Sequence, residues 1–210
     1  MKVYDIMLSG GPVMWPLLLC SIVVITVIVE RLLFWLQIRK NRNRPLLDEI
    51  LHIAGSGNWQ QIKDKTKGCE DHIIRVLSAG IQHRGCDMSR AMEAEAQSMV
   101  KKMSRFMSIL DTMITVAPLL GIFGTVLGII SSFKMLGIGG IADPKLVTCG
   151  IAQALITTAA GLAISIGTVF PYNFYKSKIE LAVYLMEKYA TSLEMVFNTL
   201  QVDHKKEDLD

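Results

Sequence analysis

Residues 112–133 and 146–175 contain no charged side chain. Each stretch exceeds the roughly 20 apolar residues needed to cross a bilayer. A third run, Val13 to Val29, is also uncharged and continues through Glu30 and Arg31 to Leu36. A buried soluble helix rarely stays uncharged beyond about 14 residues. The three runs therefore predict transmembrane helices over 13–36, 112–135 and 146–174. Of the 210 residues 51% are hydrophobic, and they concentrate in these blocks. The expected fold class is an all-α integral membrane protein. The first block is longer than the apolar core of a secretory signal. No small-x-small cleavage site follows it, and Cys20 lacks the small preceding residue of a lipoprotein site. It reads as a retained span.

Flanking charge sets the expected orientation. Arg39, Lys40, Arg42 and Arg44 follow the first span, Lys101, Lys102 and Arg105 precede the second, and Lys176 and Lys178 follow the third. The opposite side carries only Lys2, Lys134 and Lys145 as basic residues. The positive-inside rule then places the N-terminus outside. It makes 1–12 an outer segment, 37–111 a cytoplasmic helical domain, 136–145 a short outer loop and 175–210 a cytoplasmic helical tail. Glycines and Asp143-Pro144 supply turn chemistry in the outer loop. The formal net charge is only +3. The basic residues sit at membrane ends, where they anchor to lipid headgroups, so no nucleic-acid partner is expected.

The four cysteines form no C-x-x-C pair, so no disulfide framework is expected. Cys69-x-x-His72 and His83-x-x-Cys86 resemble metal ligand spacing. With 71–83 helical, however, His72 and His83 would lie about 16 Å apart, too far for one ion. No metal and no cofactor is expected. Nor does the chain carry a P-loop, a Rossmann glycine pattern, a nucleophile elbow or H-E-x-x-H, and no enzymatic activity is expected.

Met88, Met92, Met99, Met103, Phe106, Met107 and Leu110 recur on one helical side. This pattern predicts one helix running from 88 straight into the second span, with the methionines either packed or forming an adaptable groove. Ile179, Val183, Met186, Tyr189, Leu193, Val196 and Leu200 predict that the third helix also continues beyond the membrane. Pro45 should end or redirect the extension of the first helix. Gly55-Ser56-Gly57 and Lys67-Gly68 mark turns, and the residues from Asp203 to Asp210 should fray.

The residues that could carry chemistry lie inside the spans. Ala117, Gly121, Thr125, Gly128 and Ser132 form one small-residue stripe. Gly150, Ala154, Thr158, Gly161 and Ser165 form another, with Gln153 and Thr157 beside it. Such stripes permit close helix approach or line a polar path; the pattern leaves both open. Gln153 must find a polar partner. No acidic residue occurs within 112–133 or 146–175, so any proton carried along this path must ride on an acid from another chain. Glu30 and Arg31, near the cytoplasmic end of the first span, read as a charge pair or anchor.

The opening GGPVMWPLLLCSIV (10–23), the Glu30-Arg31 pair, APLLGIFGTVLG (117–128) and GIAQALITTAAGLAISI (150–166) together resemble the MotA/TolQ/ExbB proton channel family, most closely its ExbB-type members. The resemblance implies a homo-oligomeric ring, a pentamer, in a bacterial inner membrane, with the outer segments in the periplasm. It implies an ExbD-type single-span partner whose membrane Asp carries protons beside Thr125 and Thr158. It further implies a TonB-like protein as the recipient of the work, with a TolQ-like role as the alternative. A non-conducting membrane scaffold is the reading from a different class. Several members have Glu where this chain has Gln153. Glutamine cannot titrate, which leaves the partner Asp as sole carrier.

Overall fold

The computed structural model describes residues 10–138 and 144–207, and among these all regular structure is helical. The elements are α1 (Met14–Lys40), α2 (Arg44–Gly55), α3 (Trp59–Thr66), α4 (His72–Gln82), α5 (Met88–Met103), α6 (Met107–Ile138) and α7 (Pro144–Glu207). Three of them are long and apolar enough to cross a membrane: α1, α6, and α7 from Gly150 onward. They overlap the spans expected at 13–36, 112–135 and 146–174. The α7 helix is unbroken over 64 residues, about 96 Å at 1.5 Å per residue. It stays helical to Glu207, beyond the start of the expected fraying. The expected outer segment 1–12 (all but its last three residues), the middle half of the outer loop 136–145 and the last three residues of the tail lie outside the described residues.

The chain divides into two compact units. The first comprises Met1–Arg31 and Phe106–Tyr175 and holds most of the apolar spans. Within it Val13, Met14 and Leu17 of α1 pack on Ala117 of α6, joined by Leu120, Ala160 and Ile164. The outward faces of these helices carry large apolar side chains such as Leu19, Ile22, Ile25, Phe123, Phe133, Leu155 and Phe170. Lipid is the solvent such a surface calls for.

The second unit comprises Leu32–Arg105 and Lys176–Asp210. It has a core of Leu47, Ile50, Ile62, Ile73, Ile74, Leu77 and Ile81, closed by Met88, Met92 and Met99 of α5 and Met186 and Leu193 of α7. Polar caps start each short helix. Asn43 Oδ1 accepts from Leu46 N, and Pro45 occupies the first helical turn of α2, where its missing N–H costs nothing. Asn58 and Asp87 cap α3 and α5 in the same way. Asp71, 3% exposed, accepts from Ile73 N at 2.9 Å and from Asn43 N at 2.9 Å, tying the start of α4 to the start of α2. Gly57 and Gly68 turn the chain with φ of 71° and 79°, which favours residues without a Cβ.

One expectation is overturned. The helix read as continuous from 88 into the second span stops at Met103 and resumes at Met107. Ser104 N donates to Val100 O at 2.8 Å, and Phe106 adopts φ 64°, a conformation rare for a bulky residue. Arg31, in the first unit with Phe106, holds its guanidinium 5.8 Å from the ring centre. Local propensity at Ser104-Arg105-Phe106 gives no break signal, and the turn leaves the Phe106 ring against Arg31. The methionines upstream of the break are buried core, which favours the packing reading for them.

Burial holds the His72 imidazole below its ordinary value of 6.5. Arg42 pushes the same way, and Asp71 opposes both. A histidine depressed in the folded state binds fewer protons than the unfolded chain below pH 6.5, so stability falls with falling pH in that window. Melting curves of the purified chain between pH 8 and 5 should drop by at most about 1.4 kcal/mol per pH unit from this residue. His72→Gln should flatten that part of the slope. An unchanged slope would remove His72 as its cause.

Candidate functional site

The two small-residue stripes face each other. A Cβ on Gly121 would sit 3.0 Å from Thr158 Cα and 3.1 Å from Thr157 O. One on Gly128 would meet Ala154 Cβ at 2.9 Å and Gly150 O at 3.0 Å, and one on Gly161 would press into the Ala117 carbonyl. At Gly128 and Gly161 an added Cβ would force a neighbour to shift, and at Gly121 it would press tightly on backbone. Apolar side chains gain little by leaving lipid for one another, so helices in a bilayer adhere through close approach and hydrogen bonds. Ala117, Gly121, Gly128, Ala154, Gly161 and Ser165 therefore lie in the α6–α7 seam.

The hydroxyls divide into three kinds. Some reach across the seam. Thr158 Oγ1 donates to Gly121 O at 2.9 Å, and Ser165 Oγ donates to Ile114 O at 2.7 Å. The second bond has a local cause. Pro118 lies inside α6 and has no N–H, so the carbonyl four residues earlier, that of Ile114, has lost its helical donor. Ser165 replaces that donor, as a backbone acceptor in lipid requires. Others turn inward. Thr157 is 1% exposed and Thr168 is fully buried; they donate to Ala154 O at 2.7 Å and to Ile164 O at 2.6 Å. Thr157 fills the space over Gly124, where a Cβ would lie 2.5 Å from its hydroxyl oxygen. Thr125 is half-buried and donates to Ile122 O at 2.5 Å. Thr158 and Thr125 are thus the path threonines that remain partly exposed. Thr157 is enclosed. Thr168 and the Pro118–Ser165 relation were not read from the sequence, although position 168 extends the 158-161-165 spacing.

Gln153 is half-buried, with its amide nitrogen against Gly11. Gly11 has φ 72° and no room for a Cβ there, so the turn before α1 is moulded on the side chain of α7. At the other end of this unit Arg31 is 1% exposed. Its Nε and Nη2 donate to the two Glu30 carboxylate oxygens at 2.5 and 2.6 Å. Tyr175, also buried, donates to Ile28 O at 3.0 Å and fastens α7 to α1. Glu30 and Arg31 are remote in sequence from the threonines and contribute a bidentate ion pair beside the Phe106 ring. Among the described residues no group of three or more His, Cys, Asp or Glu could hold a metal ion.

The molecule is thus a multi-pass helical membrane protein whose two uncharged stretches, 112–133 and 146–175, meet through glycine and hydroxyl contacts. It belongs to the MotA/TolQ/ExbB proton channel family, whose profile matches residues 69–188. It is 30% identical over 195 residues to a Synechocystis protein described as ExbB-like 3, covering 90% of this chain and 92% of that one. It is 28% identical over 166 residues to the biopolymer transport protein exbB1 of Vibrio cholerae (76% of this chain, 72% of the relative). It is 35% identical over 109 residues to the Tol-Pal system protein TolQ of Pseudomonas aeruginosa (49% and 47%).

Two outcomes test the seam. Gly121→Ala and Gly161→Ala should each destabilise the chain in detergent by about 1–3 kcal/mol, the usual cost of overpacking. Gly167→Ala, whose Cβ meets nothing within 4 Å, should be neutral or stabilising in the same melts. Separately, Ser165→Ala should cost roughly 1–3 kcal/mol by orphaning the Ile114 carbonyl. That cost should shrink in a Pro118→Ala background, where residue 118 regains its N–H. Equal costs in both backgrounds would sink the pairing.

Proposed function

We propose that this chain is the ring-forming subunit of an inner-membrane, proton-driven motor of the ExbB type. In this reading copies of the chain, five in the family's arrangement, surround an ExbD-type single-span partner with a membrane Asp. Proton flow then energises a TonB-like protein that works on the outer membrane. The observation that carries the proposal is family membership joined to the absence of any acid in 112–133 and 146–175. A proton channel built on these helices must borrow its titrating group.

The hydroxyl geometry supports a specific division of labour. Thr125 and Thr158 have both given their protons to backbone carbonyls. Their oxygens can therefore only accept from a visitor. An ionised carboxylate has nothing to donate, whereas a protonated carboxylic acid can donate to either oxygen. Such a wall favours the neutral form of a partner Asp, which has also shed its desolvation penalty and is free to move. Loss of the proton on the cytoplasmic side restores the charge and reverses the preference. The membrane potential supplies about 2.3 kcal/mol per charge per 100 mV to drive the cycle. Gln153 serves as a hydrogen-bonding neighbour and carries no proton.

A second reading, a TolQ-type subunit serving envelope integrity, is favoured by the 35% identity to the Pseudomonas protein. It uses the same helices and the same borrowed acid. Growth on chelated iron against sensitivity to detergent in a deletion strain separates the two roles.

The direct test is proton flux into dye-loaded liposomes, comparing the chain alone with the chain co-purified with its single-span partner. Flux should require the partner and vanish when its Asp becomes Asn. Thr125→Val and Thr158→Val should each slow it about tenfold, the effect of some 1.4 kcal/mol on a barrier, with the complex intact by mass. Wild-type flux in both variants would refute the path. No flux from an intact wild-type complex would favour a non-conducting scaffold.

A further inference from the structure

Within the second unit a cavity of about 220 Å³ lies between the end of α1, the start of α4 and the end of α5. Two stretches of chain place it at the depth of lipid headgroups. Phe34, Ile38 and Asn41 line it from the end of α1, a helix long and apolar enough to cross a bilayer. Phe34 lies about 10 Å before Asn41 along that helix, toward the membrane interior. Met99, Lys102 and Met103 line it from the last turns of α5, and the next span opens at Met107.

The walls divide by chemistry. Phe34, Ile38, Met99 and Met103 are apolar, whereas Glu70, His72, Arg75 and Lys102 are polar or charged. Arg75 Nη2 pairs with Glu95 Oε1 at 3.0 Å, and a guanidinium has further N–H donors for a second anion. Lys102 brings an ammonium from α5. The His72 side chain is 10% exposed, with Asp71 Oδ1 4.0 Å from its Nδ1. Among the described residues the His72 ring makes no hydrogen bond, and a buried polar group normally has one. The one acid lining the cavity among the described residues is Glu70. Asn41 Nδ2 donates to its Oε2 at 2.5 Å, which leaves Oε1 able to accept from a second donor. The cavity thus offers donors for a phosphate, a carboxylate for an ammonium and an apolar edge toward the hydrocarbon.

We infer that this cavity binds the phosphoethanolamine headgroup of a membrane phospholipid, with the phosphate on Arg75, Lys102 and His72 and the ammonium on Glu70. Its volume equals that of about seven waters at roughly 30 Å³ each, enough for this group. The acyl chains leave past Phe34 and Ile38 into the bilayer. A glycerol headgroup brings no ammonium and sets a net negative lipid beside Glu70. A choline headgroup carries three methyls and has no N–H to donate. The inference rests on the spans and the cavity, and holds whether or not the assembly conducts ions.

The test uses the full chain, delipidated in detergent and followed by native mass spectrometry. It is titrated with phosphatidylethanolamine, phosphatidylglycerol or phosphatidylcholine of equal acyl length. One phosphatidylethanolamine per chain should bind on the order of tenfold more tightly than either of the others, the effect of one hydrogen bond to a charged group. Glu70→Gln should abolish the preference over phosphatidylglycerol. Lys102→Gln should weaken phosphatidylethanolamine binding about tenfold. Both residues are exposed, and circular-dichroism melts check that each variant keeps its fold. Glycerophosphoethanolamine, which lacks acyl chains, should compete only at much higher concentration. The inference is overturned if the three lipids bind alike, or if the preference survives both substitutions. Equal affinity for glycerophosphoethanolamine would make the ligand a soluble phosphate ester and overturn the membrane source.

Discussion

Lipid offers no hydrophobic reward for bringing two apolar helices together, and this constraint shapes the membrane half of the molecule. Adhesion has to come from backbone proximity and from hydrogen bonds that leave no polar group stranded. The α6–α7 seam meets both needs. Gly121, Gly128 and Gly161 remove the Cβ atoms that would hold the helices apart. Ser165 repairs the acceptor that Pro118 leaves open. Larger side chains at the glycine positions would collide with backbone, which cannot swing aside as a flexible side chain can.

This seam also bears on the motor reading. Every threonine in it has spent its hydroxyl proton on a carbonyl. In the motor reading proposed above, such hydroxyls can only accept a further hydrogen bond, and an accepting, uncharged wall would suit a neutral acid better than an ionised one. Packing and a proton path had looked like rival readings of one stripe. The geometry lets one hydroxyl serve both, because a bonded threonine keeps lone pairs.

The second unit obeys different physics. There water is the alternative solvent, so burial of Ile50, Ile62, Ile74 and Leu77 is itself favourable. Short helices are started by Asn43, Asn58, Asp71 and Asp87, whose side chains satisfy otherwise orphan N–H groups. The methionines of α5 adapt to the irregular surface between α4 and α7.

The sequence by itself determined the three spans, the helical continuation past the third, the turns at Gly57 and Gly68 and the two small-residue stripes, though not that they face each other. These follow from hydropathy, period and the special conformations of glycine and proline, all of which act over a few residues. It also determined that no acid lies in the two uncharged stretches. Only the tertiary structure shows the break at Phe106, because residues 104–106 are ordinary helix formers with no local break signal; the turn sets the ring beside Arg31, far along the chain. It alone decided which hydroxyls reach across the seam and which turn inward. Thr157 and Thr158 are neighbours of identical chemistry; their fates differ because successive side chains on a helix point about 100° apart, and only the position of α6 says which of them meets a carbonyl of the other helix.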